Sequence, residues 1–548
     1  MPSLDPYTSV LGRRKAKHLL RRATLNFSKS QIDHFSGLTP QAALAILCQP
    51  VVNKLNRPID VQESDPADQD WLTLPKLPNE ISGHGRKRIA ITAWWWYNGY
   101  NQTSLQHKMS FFLHSCFTVA KDNGAGASHY FYDHLLLLMH FSLGNVKNLA
   151  KKITLDNSML YYLDNYLNNA NNPNENYARE FLELFTILKG KQIGDGNYTN
   201  YTEHDVQMAA KVFSGFRHQP DRSIIDTDTN LPKGYPKPSL HDKNDKTFSA
   251  SFGNAVIKGG VDEAGMEQEH NDFVEMIFAQ DATAISYVRK LYRFFVKSEW
   301  SAEVESNIIV PLAQQLKIDN YDLMPTVKKL LASKHFYDED DNDNSNNIIG
   351  SIVKHPLQLV SEILSAFEVP VVDATKAENE KEFYLYLFKN FIHNSCFAGA
   401  GLTFFSPDSV AGYPAMYQEP DFDRHWFSST TIVARYKIIQ SLLLGKNLIA
   451  GWGKFTAVVD SVRYAETEIS NPGDVDVLIN ELAEYLYPES ISEDRKAYFS
   501  KVLLEDFDKT YWIGAWSDYV NNGTDTTVRI RLDALLTAMV NAAEFQLM

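Results

Sequence analysis

A helical pattern is clearest in the stretch N-N-P-N-E-N-Y-A-R-E-F-L-E-L-F-T, residues 171–186. Its apolar side chains recur three or four residues apart and then continue beyond it, at Tyr177, Phe181, Leu184 and Leu188. Positions with this spacing share one face of an α-helix, so the stretch predicts an amphipathic helix over 173–189. Glu175, Arg179 and Glu183 lie on the opposite face, at i, i+4 and i+8.

The same period dominates the rest of the chain. It predicts helices over 13–23, 40–47, 86–119, 129–151, 156–168, 203–214, 267–298, 303–316, 321–334, 351–368, 380–393, 429–446, 474–487, 492–507 and 527–547. No alternating run is long enough for a large sheet. We therefore expect a mainly α fold, a large multi-helix orthogonal assembly with long irregular insertions. Strand should stay under roughly 15%, against about 20–25% in an average globular protein.

The irregular stretches suggest how the chain is organised. Residues 217–262 hold Pro, Gly, Asp, Lys and Ser without a helical period, and connections this long are usually functional or disordered. We predict a main helical domain over 1–370 that contains this insertion. The remaining residues, 371–548, are predicted to form a C-terminal helical portion packed on it.

Two helix starts have capping patterns. Asn172 is followed by Pro173 and then by Glu175, three residues on, and Thr202 is followed by Asp205 at the same spacing. In a capping box the first side chain bonds the third backbone N–H, and the acid returns the bond. We predict that Asn172 and Thr202 cap two helices.

The helix over 173–189 supplies the first candidate site. Its polar face carries Glu175, Arg179 and Glu180, and His204 follows nearby in Y-T-E-H-D-V, residues 201–206. These residues are either surface ion pairs or a carboxylate cluster, oriented by Arg179, that faces an inner cleft. We expect the second arrangement, with this face buried. Histidine adds a group that titrates near neutral pH and is not explained by capping.

A second set of residues has the side-chain types of a metal site. His114 lies in F-F-L-H-S-C-F, residues 111–117, while His241 and Asp242 lie in H-D-K-N-D-K-T-F, residues 241–248. Imidazole and carboxylate groups are ligands of zinc, iron and manganese. We treat the three residues as candidate metal ligands and leave the presence of a divalent metal open, because no H-E-x-x-H motif is present.

Composition excludes some functions. The chain of 548 residues has 53 Lys and Arg against 67 Asp and Glu, a net charge of −14. Nucleic-acid binders usually need a basic face, so we expect no nucleic-acid partner. Phosphate-binding Walker and dinucleotide-binding glycine motifs are missing, as is the G-x-S-x-G nucleophile elbow.

The apolar runs are short. The longest, residues 135–139, is far below the ~20 residues that span a bilayer. The first twenty residues have no apolar segment typical of a secretory signal. We therefore expect a protein that is not embedded in a membrane and that, as written, is cytoplasmic.

Several segments together resemble the bacterial "domain of unknown function 1800" family. They are H-L-L-R-R-A-T (18–24), F-L-H-S-C-F-T (112–118), S-L-G-N (142–145), M-L-Y-Y-L-D-N (159–165), P-N-E-N-Y-A-R-E (173–180), Y-T-E-H-D-V (201–206), H-D-K-N-D-K (241–246), I-V-K-H-P (352–356) and A-E-F-Q-L-M (543–548). The resemblance covers nearly the whole chain and brings no established activity. It implies a partner from the "domain of unknown function 1501" family, which resembles sulfatases and alkaline phosphatases. It also implies an envelope or periplasmic location.

Three functions remain open. In the first, the chain is a hydrolase with a polar cleft. Glu175 or Glu180 would be general base or ligand, Arg179 would orient a carboxylate or bind an anion, and His204 or His241 would move protons or hold a metal. In the second, it is a non-catalytic binding or assembly protein whose polar network is structural. In the third, it binds carbohydrate through aromatic side chains at Tyr413, Tyr417, Trp426 and Phe427.

Overall fold

Helices dominate the structure, a computed structural model that describes residues 1–65, 70–73, 75–342, 347–444 and 457–548. The chain is 56% helical, which confirms the mainly α prediction. Strand is confined, in the described part, to three antiparallel pairs, each with strands two or three residues long. They are Gln192–Gly194 with Asn197–Tyr198, Phe216–Arg217 with Tyr235–Pro236, and Lys246–Thr247 with Val256–Ile257.

The first half of the chain consists mostly of short helices. The α-helices are Gly12–Ala23, Lys29–Ser36, Pro40–Leu47, His84–Tyr100, Gln106–Cys116, Ser128–Phe141, Val146–Ile153, Asn157–Tyr162, Glu175–Glu180, Glu203–Val212 and Glu263–Phe278. Two predicted long helices in this half, over 86–119 and 129–151, are each divided in two, and the predicted helix over 267–298 is likewise divided, at 279–280. The polar run at 101–104 separates one pair, because such side chains compete for the backbone. After Ser128–Phe141, Asn145 caps the next helix, Val146–Ile153, by accepting a hydrogen bond from Asn148 N at 2.9 Å.

The second half continues in the same way. Its α-helices are Asp281–Phe295, Ala302–Val304, Val310–Ile318, Leu323–Leu331, Pro356–Ala366, Pro414–Tyr417, Thr431–Leu442, Ser461–Glu468, Val475–Leu486, Glu493–Leu504, Lys509–Asn522, Thr526–Asn541 and Ala543–Gln546. The wider π-helical form occupies Phe181–Phe185, Glu305–Ile309 and Glu382–Phe397. The final residues of the predicted helix over 429–446 lie outside the described residues. No helix in the described ranges has both the length and the apolar character needed to cross a bilayer.

One continuous apolar core runs from Leu11 to Phe545 and receives side chains from both predicted portions of the chain. Trp94, Trp95 and Trp96 are buried in it. Aromatic side chains bury large apolar areas, so this cluster is structural. The boundary at residue 370 stays a prediction.

A buried ion network crosses the core. Arg21 donates from Nε to Glu362 Oε1 at 2.8 Å and from Nη2 to the carbonyl of Leu486 at 2.6 Å. Lys354 Nζ lies 3.0 Å from the same Glu362 oxygen. Arg435 donates to Gln546 Oε1 and to the Lys354 carbonyl, both at 2.9 Å. The network therefore joins the first helix, the helix Pro356–Ala366 and the C-terminal helices.

The two predicted caps have different outcomes. Thr202 forms the predicted capping box: its side chain accepts from Asp205 N, and its own N–H donates to Asp205 Oδ2 at 2.8 Å. The prediction for Asn172 is wrong. Asn174 caps the helix and accepts from Asn176 N at 3.0 Å. The backbone bridge between Asn169 and Asn172 forms a turn there, which keeps the next residues outside the helix.

We expect Glu362→Gln to lower the free energy of unfolding by about 3–5 kcal/mol, because it leaves buried cations without their carboxylate. Asp476→Asn is the matched control, since Asp476 pairs with Lys509 at 2.6 Å on the surface. That change should cost less than about 1 kcal/mol. Chemical denaturation midpoints measure both. Equal losses in the two variants would contradict the role given to the network.

The caps give a second prediction. Asn174→Ala and Thr202→Ala should each cost about 1 kcal/mol, because a backbone N–H at the helix start loses its acceptor. Asn172 is exposed and lies outside the helix, so Asn172→Ala should change the free energy of unfolding by less than about 0.5 kcal/mol. Urea denaturation of the three variants distinguishes Asn174 from Asn172 as the cap. A loss of stability in Asn172→Ala as large as that in Asn174→Ala would contradict the assignment of Asn174.

Candidate functional site

The polar face of Glu175–Glu180 is organised by Arg179. Its Nη2 lies 3.1 Å from Glu175 Oε2 and 2.7 Å from Glu203 Oε1, and its Nη1 donates to Glu203 Oε2 at 2.9 Å. Glu203 thus accepts hydrogen bonds from both branches of the guanidinium, the strong geometry for this kind of pair. These hydrogen bonds lower the pKa of Glu203, although its partial burial acts to raise it. The cluster links the helices Glu175–Glu180 and Glu203–Val212.

The face is not buried as predicted. The side chain of Arg179 is 34% exposed, and those of Glu175 and Glu203 are each 37% exposed. The cluster therefore lies at the protein surface, where water screens its charges. The predicted helix also changes form after Glu180, because Phe181–Phe185 is a π turn.

Glu180 lies in a different environment from Glu183, the next carboxylate along the chain. Burial and repulsion from Glu183 both raise the pKa of Glu180, to about 7. Within the described residues, Glu180 forms no ion pair. Glu183 pairs with Lys189 and accepts a hydrogen bond from the Tyr201 hydroxyl at 3.4 Å. One turn of chain thus carries a carboxyl that takes up a proton near neutral pH and a second that is paired with a cation.

His204 is exposed at the start of the helix Glu203–Val212. Its Nε2 donates to the carbonyl of Thr247 at 2.9 Å. That hydrogen bond fastens the helix to the long insertion. His204 thus hydrogen-bonds to the insertion, whereas the hydrogen-bond partners of Arg179 are Glu175 and Glu203.

His241 is buried and both of its ring nitrogens have partners. Its Nδ1 donates to the carbonyl of Ser214 at 2.7 Å, and its Nε2 lies 2.8 Å from Glu269 Oε2. Lys246 Nζ pairs with the other oxygen of Glu269 at 2.6 Å. Asp242 accepts from both nitrogens of Asn244, each at 2.9 Å. These contacts hold the insertion against the helix Glu263–Phe278.

His114 is buried elsewhere, in an aromatic part of the core. Its Nε2 hydrogen-bonds to the carbonyl of Val119 at 3.0 Å, and its ring lies 4.8 Å from that of Phe405. Burial and the nearby His134 lower the pKa of His114 to about 3. In the described part of the chain, no group of three or more His, Cys, Asp and Glu side chains is placed to hold a metal ion.

Some polar residues were not predicted from the sequence. His134 Nδ1 lies 3.0 Å from Asp156 Oδ2, and both side chains are buried. Asp156 also caps a helix by accepting from Met159 N at 2.8 Å. Glu203 and Tyr201 also join the candidate site, through Arg179 and Glu183. The capping box at Thr202 placed Glu203 in a first helical turn, but only the packing of two helices brings it to Arg179.

The predicted aromatic residues do not form an exposed platform. Tyr413 and Trp426 are 3% and 5% exposed, whereas Tyr417 is 39% exposed. Phe427 is half-buried under Arg435, whose guanidinium carbon lies 4.7 Å from the ring centre. A sugar ring on the surface would therefore reach Tyr417 but not Tyr413 or Trp426.

One of the comparisons with known proteins, the match to a family, agrees with the resemblance drawn from the sequence segments. No curated protein and no solved structure matches the chain. The family described as "Protein of unknown function (DUF1800)" matches residues 18–547, nearly the whole chain. The chain therefore belongs to the DUF1800 family.

Proposed function

We propose that the chain is a hydrolase in which Glu180 is the general acid–base group. The observation that carries the proposal is the placement of Glu180, which is half-buried, has no ion pair among the described residues and lies one turn before Glu183, itself paired with Lys189. Burial and repulsion from Glu183 raise the pKa of Glu180 to about 7. A general acid–base is most effective when its pKa lies near the working pH, because both protonation states are then accessible. At many catalytic sites, two titratable groups in different environments divide the acid and base roles between them.

The neighbouring residues support the assignment of roles. Protonated Glu180 donates a proton to the leaving group of the substrate. Glu183, which pairs with Lys189, accepts a proton from the attacking water. The Tyr201 hydroxyl holds Glu183 in place.

Arg179 has a positioning role in this proposal. Both branches of its guanidinium are occupied by Glu203, and one also contacts Glu175. It fixes the orientation of the helix that carries Glu180 without touching the substrate. His241 and Asp242 are assigned no chemical step, because their polar atoms hold the insertion in place.

We expect Glu180→Gln to lower hydrolysis by about 10²–10⁴-fold, the usual contribution of a general acid–base. Purified protein is assayed with p-nitrophenyl acetate, p-nitrophenyl glycosides and p-nitrophenyl phosphate, one probe for each class of bond. With the parent protein, kcat/KM should fall as pH rises through about 7, because only protonated Glu180 donates.

Glu175→Gln is the matched control for that experiment. It removes a surface carboxylate from the helix that carries Glu180, and this carboxylate has no chemical step in the proposal. The rate of hydrolysis should therefore change by less than about threefold, the size of effect expected from a surface charge. Circular dichroism checks that each variant is folded. Hydrolysis that is the same in Glu180→Gln and in the parent would exclude the proposed role, as would no cleavage of any probe.

A non-catalytic binding or assembly protein is the second candidate. The observation in its favour is the saturation of Arg179 by two carboxylates, which is typical of a structural link between helices. The resemblance suggests a partner of the DUF1501 family for this role, and co-purification of the two proteins tests it. Carbohydrate binding has less support because two of its four proposed aromatic residues are buried.

Arg179→Ala tests the structural role separately. We expect a loss of about 1 kcal/mol in the free energy of unfolding, since the ion pairs are half-exposed and geometrically good. Thermal and urea denaturation provide the measurement, with Lys509→Ala as a control for an exposed pair. A loss above about 3 kcal/mol would indicate a buried network instead.

A further inference from the structure

A cavity of about 380 Å³ lies beside the π turn Phe181–Phe185. We call it the Arg293 pocket. Its apolar wall comes from the end of the turn, the helices Gln106–Cys116 and Asp281–Phe295, and the irregular segment around 410–419, and includes Phe112, Leu184, Leu188, Phe294, Trp300 and Met416. Ligand pockets in proteins typically measure about 300–1,000 Å³ and combine such walls with a few polar groups.

Arg293 is held in this wall by aromatic rings. Its guanidinium carbon lies 4.2 Å from the ring centre of Phe422 and 5.1 Å from that of Trp300. Its Nε donates to the carbonyl of Ser298 at 3.4 Å. Among the described residues, no carboxylate lies within ion-pair distance of Arg293. Burial lowers the pKa of Arg293 to about 10, so the group remains charged at neutral pH.

The neighbouring cations are already engaged. Arg289 pairs with Glu305 at 2.7 Å, and Lys290 Nζ donates to the carbonyl of Leu184 at 2.5 Å. Glu419, exposed at the rim, attracts Arg293 from beyond ion-pair distance. A stacked guanidinium is rigid and presents a planar fork that matches carboxylate and phosphate oxygens. Arg293 thus lacks a close counter-charge, which a bound anion would supply.

We propose that the Arg293 pocket binds a small organic oxyanion, a carboxylate or a phosphate ester with an apolar or aromatic body. The oxyanion pairs with Arg293, and the apolar body packs against Phe112, Leu184 and Phe294. The proposal is independent of the acid–base role of Glu180, since it uses none of the same side chains. The π turn Phe181–Phe185 contributes Leu184 to this binding site, in keeping with the frequent occurrence of π turns at functional sites.

Isothermal titration calorimetry tests the proposal with phenyl phosphate and phenylacetate as probes, and with inorganic phosphate and benzyl alcohol as comparisons. We expect at least one anionic aromatic probe to bind with a dissociation constant of about 1 mM or below. The two comparisons lack either the apolar body or the charge, so each should bind at least about tenfold more weakly. The preferred probe distinguishes a carboxylate ligand from a phosphate ligand.

Arg293→Gln should weaken that binding at least about tenfold, because the charged fork is lost. Arg495→Gln is the matched control. Arg495 also stacks on two rings, those of Tyr498 and Phe499, but it is paired with Glu544 at 2.7 Å. Its variant should bind the probe as the parent does.

Val410→Trp provides a second route, because it fills the cavity without altering Arg293. It should abolish probe binding even if Arg293→Gln fails to fold. Binding that is unchanged in Val410→Trp would overturn the proposal. The same conclusion follows if neither anionic probe binds the parent protein, or if benzyl alcohol binds equally well.

Discussion

The buried carboxylate of Glu362 is the interaction on which the architecture depends. One of its oxygens receives both Arg21 and Lys354 inside the core, where an unpaired charge is costly. Burial pushes the pKa of Glu362 upward, but the attraction of the two cations outweighs it, so the net pKa is lowered. The carboxylate is therefore ionised in the folded protein and joins helices that are more than three hundred residues apart in sequence.

The long insertion is held by the same principle. Asp205 is buried and accepts from the backbone N–H and the hydroxyl of Ser249, each at 2.7 Å, besides completing its capping box. Glu269 holds the other side through His241 and Lys246. Acceptors that satisfy several donors at once allow an irregular segment to pack on helices without leaving buried polar groups unpaired.

The charged groups near the candidate site differ in whether a nearby group of opposite charge pairs with them. At the surface, Arg179 is paired with both Glu175 and Glu203. Glu180 has no such partner in the described structure, and Arg293 likewise lacks a close counter-charge. Groups whose charge is not matched locally are the ones that respond to a substrate, a proton or a ligand. This contrast, rather than the number of charged residues, separates the functional proposals from the structural contacts.

Helical periodicity determined the fold class, because apolar side chains at 3.6-residue spacing form a buried stripe only as helices. Local spacing also determined the Thr202 capping box, which involves residues three positions apart. It failed at Asn172, where a turn closed by Asn169 sets the helix start. The π turn after Glu180 was not predictable either. Its end is fixed from another helix, where the Tyr287 hydroxyl donates to the carbonyl of Phe185 at 2.7 Å.

The sequence by itself thus determined that helices form and that Glu175, Arg179 and Glu180 share a polar segment. Tertiary structure alone decided that His114 lies in the core, that His241 faces Glu269, and that Arg179 pairs with Glu203. The physical reason is range. Capping and periodicity act within one or two turns of chain, whereas burial and ion pairing depend on which distant element packs against a residue.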